Sequence, residues 1–153
     1  CRVADVVASV MNTLRVLADE RQLALRTEGL DDLPVISADE SRLFNALYNL
    51  VNNAIPEVPP GGSVTVRGRT EARGTSIMLS VIDTGKGMSP EVRDSLFTYR
   101  AISSKAGGTG LGTKIVKDVV DAHGGTISVE SEEGKGTAFH IRLLVDGPPS
   151  ASP

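Results

Sequence analysis

The sequence of 153 residues has one cysteine, few aromatic residues and no apolar run long enough to span a membrane. Cys1 has no partner for an internal disulfide and no companions at zinc-ligand spacing, which favours a reducing compartment. Aromatic residues make up 3% and the net charge is −3, which argues against a nucleic-acid-binding protein. No basic-then-apolar leader opens the chain. We therefore expect a soluble, unprocessed, intracellular domain that contacts neither nucleic acid nor a membrane directly.

With 40% hydrophobic residues, the chain is predicted to form one domain over 1–145 and a disordered tail over 146–153. Apolar spacings of three and four predict helices over 5–21, 39–54 and 110–122, and a serine cap before a proline predicts a short helix over 90–97. Alternation predicts strands over 23–27, 63–69, 76–83, 126–130 and 137–145, with a short extended piece over 35–37. This pattern predicts an α+β fold, a two-layer sandwich of about three helices on a mostly antiparallel mixed sheet.

The second predicted helix contains several asparagines. Asn49 and Asn53 are four residues apart, so both carboxamides lie on one helical face, next to an apolar stripe. Amide oxygens suit Mg²⁺, which keeps several waters and takes other oxygens from phosphates. The alternative is that these asparagines are simply exposed or cap a neighbouring turn.

The string D-x-G-x-G begins at Asp83, where a predicted strand ends. A carboxylate there can accept a hydrogen bond from an exocyclic amine such as that of adenine. Glycines beyond it, Gly85 and Gly87, allow a flat ring to approach the backbone. An ordinary Asp-Gly turn is the alternative, as a hairpin turn is for the G-K-G-T string that ends at Thr137.

A glycine-rich stretch over 107–112 opens directly into a predicted helix. Free backbone N–H groups at a helix N-terminus form a natural phosphate site. The chain contains neither G-x-x-x-x-G-K-[ST] nor G-x-G-x-x-G, which argues against P-loop and Rossmann sites. Lys105, just before the glycines, is placed to reach a γ-phosphate as a point charge, or else is a solvated loop lysine.

The motifs and their order along the chain resemble those of the ATP-binding catalytic domain of sensor histidine kinases. The order is N-x-x-x-N, D-x-G-x-G, G-T-G-L-G, H-G-G and G-K-G-T. The wider superfamily includes gyrase, chaperone and mismatch-repair ATPases, and its fold is Bergerat-type. The resemblance spans about residues 3–145. It implies a kinase domain that binds Mg-ATP for two-component signal transduction.

The resemblance also implies roles for single residues. Asn53 would coordinate Mg²⁺ with support from Asn49, and Asp83 would bind the adenine amine. Lys105, similar to the lid lysine of nitrogen-regulation-type kinases, would share a catalytic role with Asn49. Residues 98–109 would form the ATP lid, after Phe97 in the F box. The other nucleotide-binding residues would be Gly85, Gly87, Met88, Gly108, Thr109, Gly110, Leu111, Gly112 and Thr137, the last reaching toward Asp83 through water.

One position separates phosphate transfer from hydrolysis. Hydrolytic relatives carry a glutamate where this chain has Asn49, and that carboxylate activates water as a general base. An asparagine cannot take a proton, so bound ATP is expected to hydrolyse slowly and to remain available to another nucleophile. This favours transfer over hydrolysis.

The expected phosphoacceptor is missing from the chain. His123 precedes two glycines at a helix end and His140 lies in a strand pattern, so both are interpreted as structural. The acceptor histidine is therefore expected on a dimerisation domain of the parent kinase, with a response regulator as an indirect partner. The alternative is an anti-sigma-type serine kinase or an inactive docking module. Pro56 and Glu57, where the family often has a basic and an aromatic residue, are expected to lower ATP affinity, and the lid sequence also departs from the usual pattern.

Overall fold

The computed structural model describes residues 1–95 and 109–148, although the side chains of 95 and 109–112 are not described. Its described helices are α1 (Val3–Glu20), α2 (Glu40–Ala54), α3 (Pro90–Ser95) and α4 (Thr109–Ala122). The strands are β1 (Ala24–Glu28), β2 (Ser63–Glu71), β3 (Ser76–Asp83), β4 (Thr126–Glu132) and β5 (Gly136–Leu144), and 3-10 turns span Ile55–Glu57 and Ala72–Gly74.

The strands form one mixed sheet in the order β1-β2-β3-β5-β4. β1 pairs parallel with β2, and the other neighbouring pairs are antiparallel. The helices lie against this sheet as a second layer, which confirms the predicted α+β sandwich. At the end of β3, Asp83 pairs with Val64 of β2 and with Thr137 of β5. The last residue of the central strand is thus held between two neighbours.

Helix α2 begins and ends as its sequence predicts. Asp39 caps it, with its Oδ1 accepting a hydrogen bond of 3.0 Å from the Arg42 N–H. Pro56 follows, and the chain continues as the 3-10 turn. α2 contacts both α1 and α4. Its buried stripe consists of Leu43, Ala46, Leu47, Leu50, Val51 and Ala54.

The core lies between the helices and one face of the sheet. Ile77, Leu79 and Val81 of β3 are almost fully buried, as expected for the alternate positions of a central strand. Helix α1 contributes a stripe of valines, Met11 and Leu14 to the same cluster. Truncation of such a side chain, for example Leu47→Ala, should lower the free energy of unfolding by about 2–5 kcal/mol.

The observed bounds differ slightly from those predicted. β2 continues to Glu71 because its pairing with β3 extends past the polar residues that suggested a turn. Residues 35–37 form no strand, but Ile36 and Cys1 exchange two backbone hydrogen bonds. Of the predicted tail, residues 146–148 form a turn in which the Gly147 N–H donates to the Leu144 carbonyl, and 149–153 lie outside the described residues. In residues 1–95 and 109–148 no helix has the length and apolar character that a membrane span requires.

Candidate functional site

A cavity of about 290 Å³ opens where the ends of α2, β3 and β5 meet. The loop after β3, the start of α3 and Thr113 of α4 complete its wall. The predicted residues Asn53, Asp83, Gly87, Met88 and Thr137 all line it. The other lining residues are Leu50, Ala54, Glu57, Lys86, Ser89, Val92, Thr113 and Phe139. The tertiary structure thus brings the asparagine, aspartate and G-K-G-T motifs to one cavity.

Asp83 and Thr137 form one end of this cavity, which we call the carboxylate end. The predicted residue Gly85 contacts Asp83 there but does not itself line the cavity. The Asp83 side chain is buried, and its Oδ1 accepts a hydrogen bond of 2.8 Å from the Gly85 N–H. Burial raises the pKa of the Asp83 carboxyl and the charge of Glu57 adds to the rise, while the backbone N–H groups of Gly85 and Thr137 oppose it. The carboxylate is therefore fixed in position by the backbone and presents an acceptor to the cavity.

Gly87 occupies a position that only glycine fits. Its φ is +73°, and a Cβ there would lie 2.0 Å from the Glu132 carbonyl oxygen. The backbone of the turn between β4 and β5 therefore packs directly on the loop after β3. A hydrogen bond of 2.7 Å from the Gly134 N–H to the Lys86 carbonyl joins the same two segments. The second glycine of D-x-G-x-G thus serves this contact between two segments.

Asn53 lines another part of the cavity, and we call Asn53 together with Asn49, one turn before it on α2, the amide end. The Asn49 Nδ2 donates to the Asn45 carbonyl at 2.7 Å, so this amide bonds back to its own helix. Asn49 does not line the cavity, whereas Asn53 does, and the buried Asn53 Nδ2 has no hydrogen-bond partner among the described residues. The Asn53 nitrogen is thus not engaged by the described residues, and an amide oxygen is a ligand type that Mg²⁺ takes, so Asn53 fits such an ion.

Ser131 of β4 belongs to this site although sequence reasoning missed it. Its Oγ accepts the Met88 N–H at 2.8 Å, and it lies 2.8 Å from Thr137 Oγ1 and 3.1 Å from the Gly136 carbonyl oxygen. The hydroxyl thus joins the loop after β3 to the start of β5. A signal was available, since Ser131 pairs with Thr137 if the residues over 132–136 form a hairpin turn.

The predicted phosphate-binding stretch is described only in part. Lys105, Gly107 and Gly108 lie outside the described residues. From Thr109, one residue earlier than predicted, the backbone is helical, so Thr109, Gly110, Leu111 and Gly112 form the first turn of α4. Thr113, the first residue of α4 whose side chain is described, is buried and lines the cavity. The N-terminal turn of this helix therefore borders the site.

Glu57 and Lys86 form an ion pair of 3.0 Å at the rim of the cavity. The Lys86 side chain is 77% exposed and that of Glu57 40%, so solvent screens the attraction. A backbone hydrogen bond of 3.2 Å from the Lys86 N–H to the Glu57 carbonyl joins the same two residues. Glu57, singled out above as a departure from the family pattern, thus lies within the candidate site.

The two histidines make contacts of a structural kind. The His123 Nε2 accepts the Asp39 N–H at 3.0 Å and its Nδ1 lies 2.8 Å from the Val119 carbonyl oxygen, so this ring ties the end of α4 to the cap of α2. The His140 Nδ1 lies 2.7 Å from Ser80 Oγ, on the neighbouring strand. Neither ring lines the cavity.

Comparisons with known proteins agree with this geometry. Residues 38–147 match the family described as histidine kinase-, DNA gyrase B-, and HSP90-like ATPase. The sensor histidine kinase ZraS of Escherichia coli (strain K12) is 41% identical over 129 residues, covering 84% of this chain. The chain spans only 27% of the length of ZraS.

Solved structures give the same result. The mycobacterial sensor histidine kinase MprB is 29% identical with a TM-score of 0.78, and the match covers 98% of this chain and 97% of that one. Full-length ShkA in complex with AMPPNP is 27% identical with a TM-score of 0.84, covering 98% of this chain and 31% of ShkA. The resemblance to the ATP-binding catalytic domain of sensor histidine kinases is confirmed.

Proposed function

Because the chain belongs to the family of histidine kinase-, DNA gyrase B- and HSP90-like ATPases, we propose that it binds Mg-ATP and donates the γ-phosphate to a histidine on a separate dimerisation domain of its parent kinase. The carrying observation is the cavity that Asp83 and Asn53 both line. A buried acceptor suits the adenine amine, and an unpartnered amide suits a phosphate-bound cation. ShkA, with a similar fold, was solved with AMPPNP.

The adenine ring would lie between Asp83 and the apolar wall. Leu50, Val92 and Phe139 contribute to that wall. Burial of an aromatic base against apolar side chains favours binding, and the fixed carboxylate selects its orientation. In this pose Gly85, Gly87 and Met88 would shape the pocket beside the base. Thr137 would reach toward Asp83 through water.

The phosphates would extend toward the amide end and the N-terminus of α4. Asn53 would hold Mg²⁺ with support from Asn49, and the bound ion would neutralise charge on the phosphates. The backbone N–H groups at the start of α4 favour anions, so Gly108 and Thr109 through Gly112 would cradle the phosphates. Lys105 would add a positive charge near the γ-phosphate.

The residues present favour transfer over hydrolysis. Asn49 stands where hydrolytic relatives carry a glutamate, and an amide cannot accept a proton from water. Of the two carboxylates that line the described cavity, Asp83 would face the adenine amine and Glu57 lies at the rim beside Lys86, so neither would lie at the γ-phosphate. Bound ATP would therefore hydrolyse slowly and remain available to a histidine nucleophile. After transfer, the phosphate would pass to a response regulator. With ATP as its substrate, the domain would lie in the cytoplasm.

The test is a calorimetric titration of the chain with ATP, with and without Mg²⁺, beside the Asp83→Asn variant. We expect binding that Mg²⁺ strengthens and that Asp83→Asn weakens about ten- to hundredfold, because one hydrogen bond to a charged group is lost. Absence of binding at millimolar ATP would contradict the proposal and favour an inactive docking module.

Transfer is tested on the full-length parent protein with ATP labelled at the γ-phosphate. A label on the parent protein that acid removes and base does not is expected for phosphohistidine, and Asp83→Asn should reduce this label at limiting ATP. An acid-stable label on a partner serine would instead favour the anti-sigma-type kinase.

A further inference from the structure

Ser131 makes three polar contacts at the carboxylate end of the cavity. Its Oγ lies 2.8 Å from the Met88 N, 2.8 Å from Thr137 Oγ1 and 3.1 Å from the Gly136 carbonyl oxygen. Thr137 lines the cavity and pairs with Asp83 across β3 and β5, whereas Ser131 does not line the cavity. Ser131 therefore acts on the site only through its neighbours.

The direction of these hydrogen bonds follows from the atoms involved. A serine hydroxyl has one proton to donate and two lone pairs to accept. The Met88 N–H can only donate, and the Gly136 carbonyl can only accept. All three contacts are hydrogen bonds at the same time only if Ser131 donates its one proton to the Gly136 carbonyl and the Thr137 hydroxyl donates to Ser131, and we assign the protons in this way.

This arrangement fixes what Thr137 offers to a ligand. Because its proton points at Ser131, Thr137 Oγ1 presents only lone pairs to the cavity. The neighbouring Asp83 carboxylate, when ionised, also only accepts. The polar side chains of Asp83 and Thr137 are then both acceptors, which in direct contact match a 6-amino group and oppose a 6-oxo group.

We propose that Ser131 is a positioning residue for base selectivity, which holds the Thr137 hydroxyl as an acceptor so that the site takes 6-aminopurine nucleotides in preference to 6-oxopurine nucleotides. This inference rests on the proposed nucleotide site. It concerns the ratio of two affinities, which a loss of folded protein does not change. Without Ser131 the Thr137 hydroxyl rotates freely and donates to a 6-oxo group.

The experiment compares the affinities of ATP and ITP, which differ in the 6-substituent of the base and in the proton that ITP carries on N1, for the wild-type chain and for Ser131→Ala. We expect Ser131→Ala to lower the ATP-to-ITP preference about five- to tenfold, the effect of one hydrogen bond. The matched control is Ser128→Ala on the same strand, which faces His140 rather than Thr137 and should leave the preference unchanged.

A double-mutant cycle separates positioning from general damage. Thr137→Val alone should lower the preference, because the acceptor is lost, and adding Ser131→Ala to it should produce no further change. Unchanged preference in Ser131→Ala, or an equal additional loss in the double variant, would overturn the inference. If Ser131→Ala does not fold, an unchanged preference in Thr137→Val would overturn it. A wild-type chain that binds neither nucleotide would refute the proposed function instead.

Discussion

The two ends of the cavity are built differently. At the carboxylate end, strands and the loop after β3 fix each polar group, since Asp83 accepts from Gly85 and Ser131 holds Thr137. At the amide end, Asn49 bonds to its own helix and the Asn53 amide nitrogen has no partner in the described part of the chain. Under the proposed function, the fold pre-organises base recognition, whereas the metal and phosphates complete the other end.

The largest effect is expected where two backbones touch at the carboxylate end. Gly87→Ala places a Cβ at 2.0 Å from the Glu132 carbonyl and forces a left-handed φ on alanine. We expect a loss of about 2–5 kcal/mol in the free energy of unfolding, from backbone strain plus overpacking. Urea unfolding measures it.

Gly134→Ala is the matched control for this change. Gly134 also has a positive φ, +82°, but a Cβ there meets nothing within 4 Å. Only the strain of about 1–2 kcal/mol should remain. Equal losses in the two variants would contradict the role assigned to the contact between Gly87 and Glu132.

Asp83→Asn should separate function from stability at the same end. The ATP affinity should fall about ten- to hundredfold, yet the thermal midpoint at neutral pH should rise. The reason is that the amide removes a buried charge while its oxygen can still accept the Gly85 N–H. Calorimetry and thermal unfolding together check this, and a lower midpoint would show that the carboxylate stabilises the fold.

The difference in the free energy of unfolding between Asp83→Asn and the wild type should depend on pH in one direction. Burial raises the pKa of Asp83 above its ordinary value of 3.8, so the folded state binds a proton more readily than the unfolded state. This contribution to stability is present below 3.8 and is lost as the pH rises through the folded pKa. The excess stability of Asp83→Asn over wild type should therefore shrink from neutral pH toward about pH 4. A gap that stays constant would contradict the assigned pKa shift.

At the amide end, Asn53→Ala should reduce the Mg²⁺ dependence of ATP binding and leave the stability of the fold nearly unchanged. Because the Asn53 Nδ2 has no hydrogen-bond partner among the described residues, its removal breaks no described hydrogen bond, and the free energy of unfolding should change by less than about 0.5 kcal/mol. The gain in ATP affinity on adding Mg²⁺ should disappear, while Mg-free affinity stays within about twofold of wild type. A Mg²⁺ effect that survives would place the metal elsewhere.

The smallest effect is expected at the rim. The exposed Glu57–Lys86 pair should contribute about 0.2–1 kcal/mol to the free energy of unfolding, so Lys86→Met should change that free energy only within this range. Glu57→Gln should in addition lower the pKa of Asp83, because Glu57 contributes to raising it. Measuring the pH dependence of stability in both variants distinguishes the two effects.

Sequence reasoning anticipated the elements and the motif residues for identifiable reasons. The apolar spacing of α2 and the Asp39 cap determine that helix locally, and alternation determines β3 in the same way. Ser131 was missed because its role depends on a contact with Met88, which no local pattern contains, as well as on the register that the turn over 132–136 sets between β4 and β5. From the sequence, Glu57 was singled out only as a departure from the family pattern. Its ion pair with Lys86 could not be predicted, because that pair depends on the position of the loop after β3.

The sequence by itself determined the periodicities, the glycines at strained turns and the ordered motifs, because each depends on neighbours along the chain. Only the tertiary structure decided that Asp83, Asn53 and Thr137 share one cavity and that the Asn49 amide bonds to its own helix instead. The physical reason is that burial, hydrogen-bond direction and pKa depend on atoms brought together from distant segments. The Ser131 contacts, which join the loop after β3 to the hairpin of β4 and β5, are such a case.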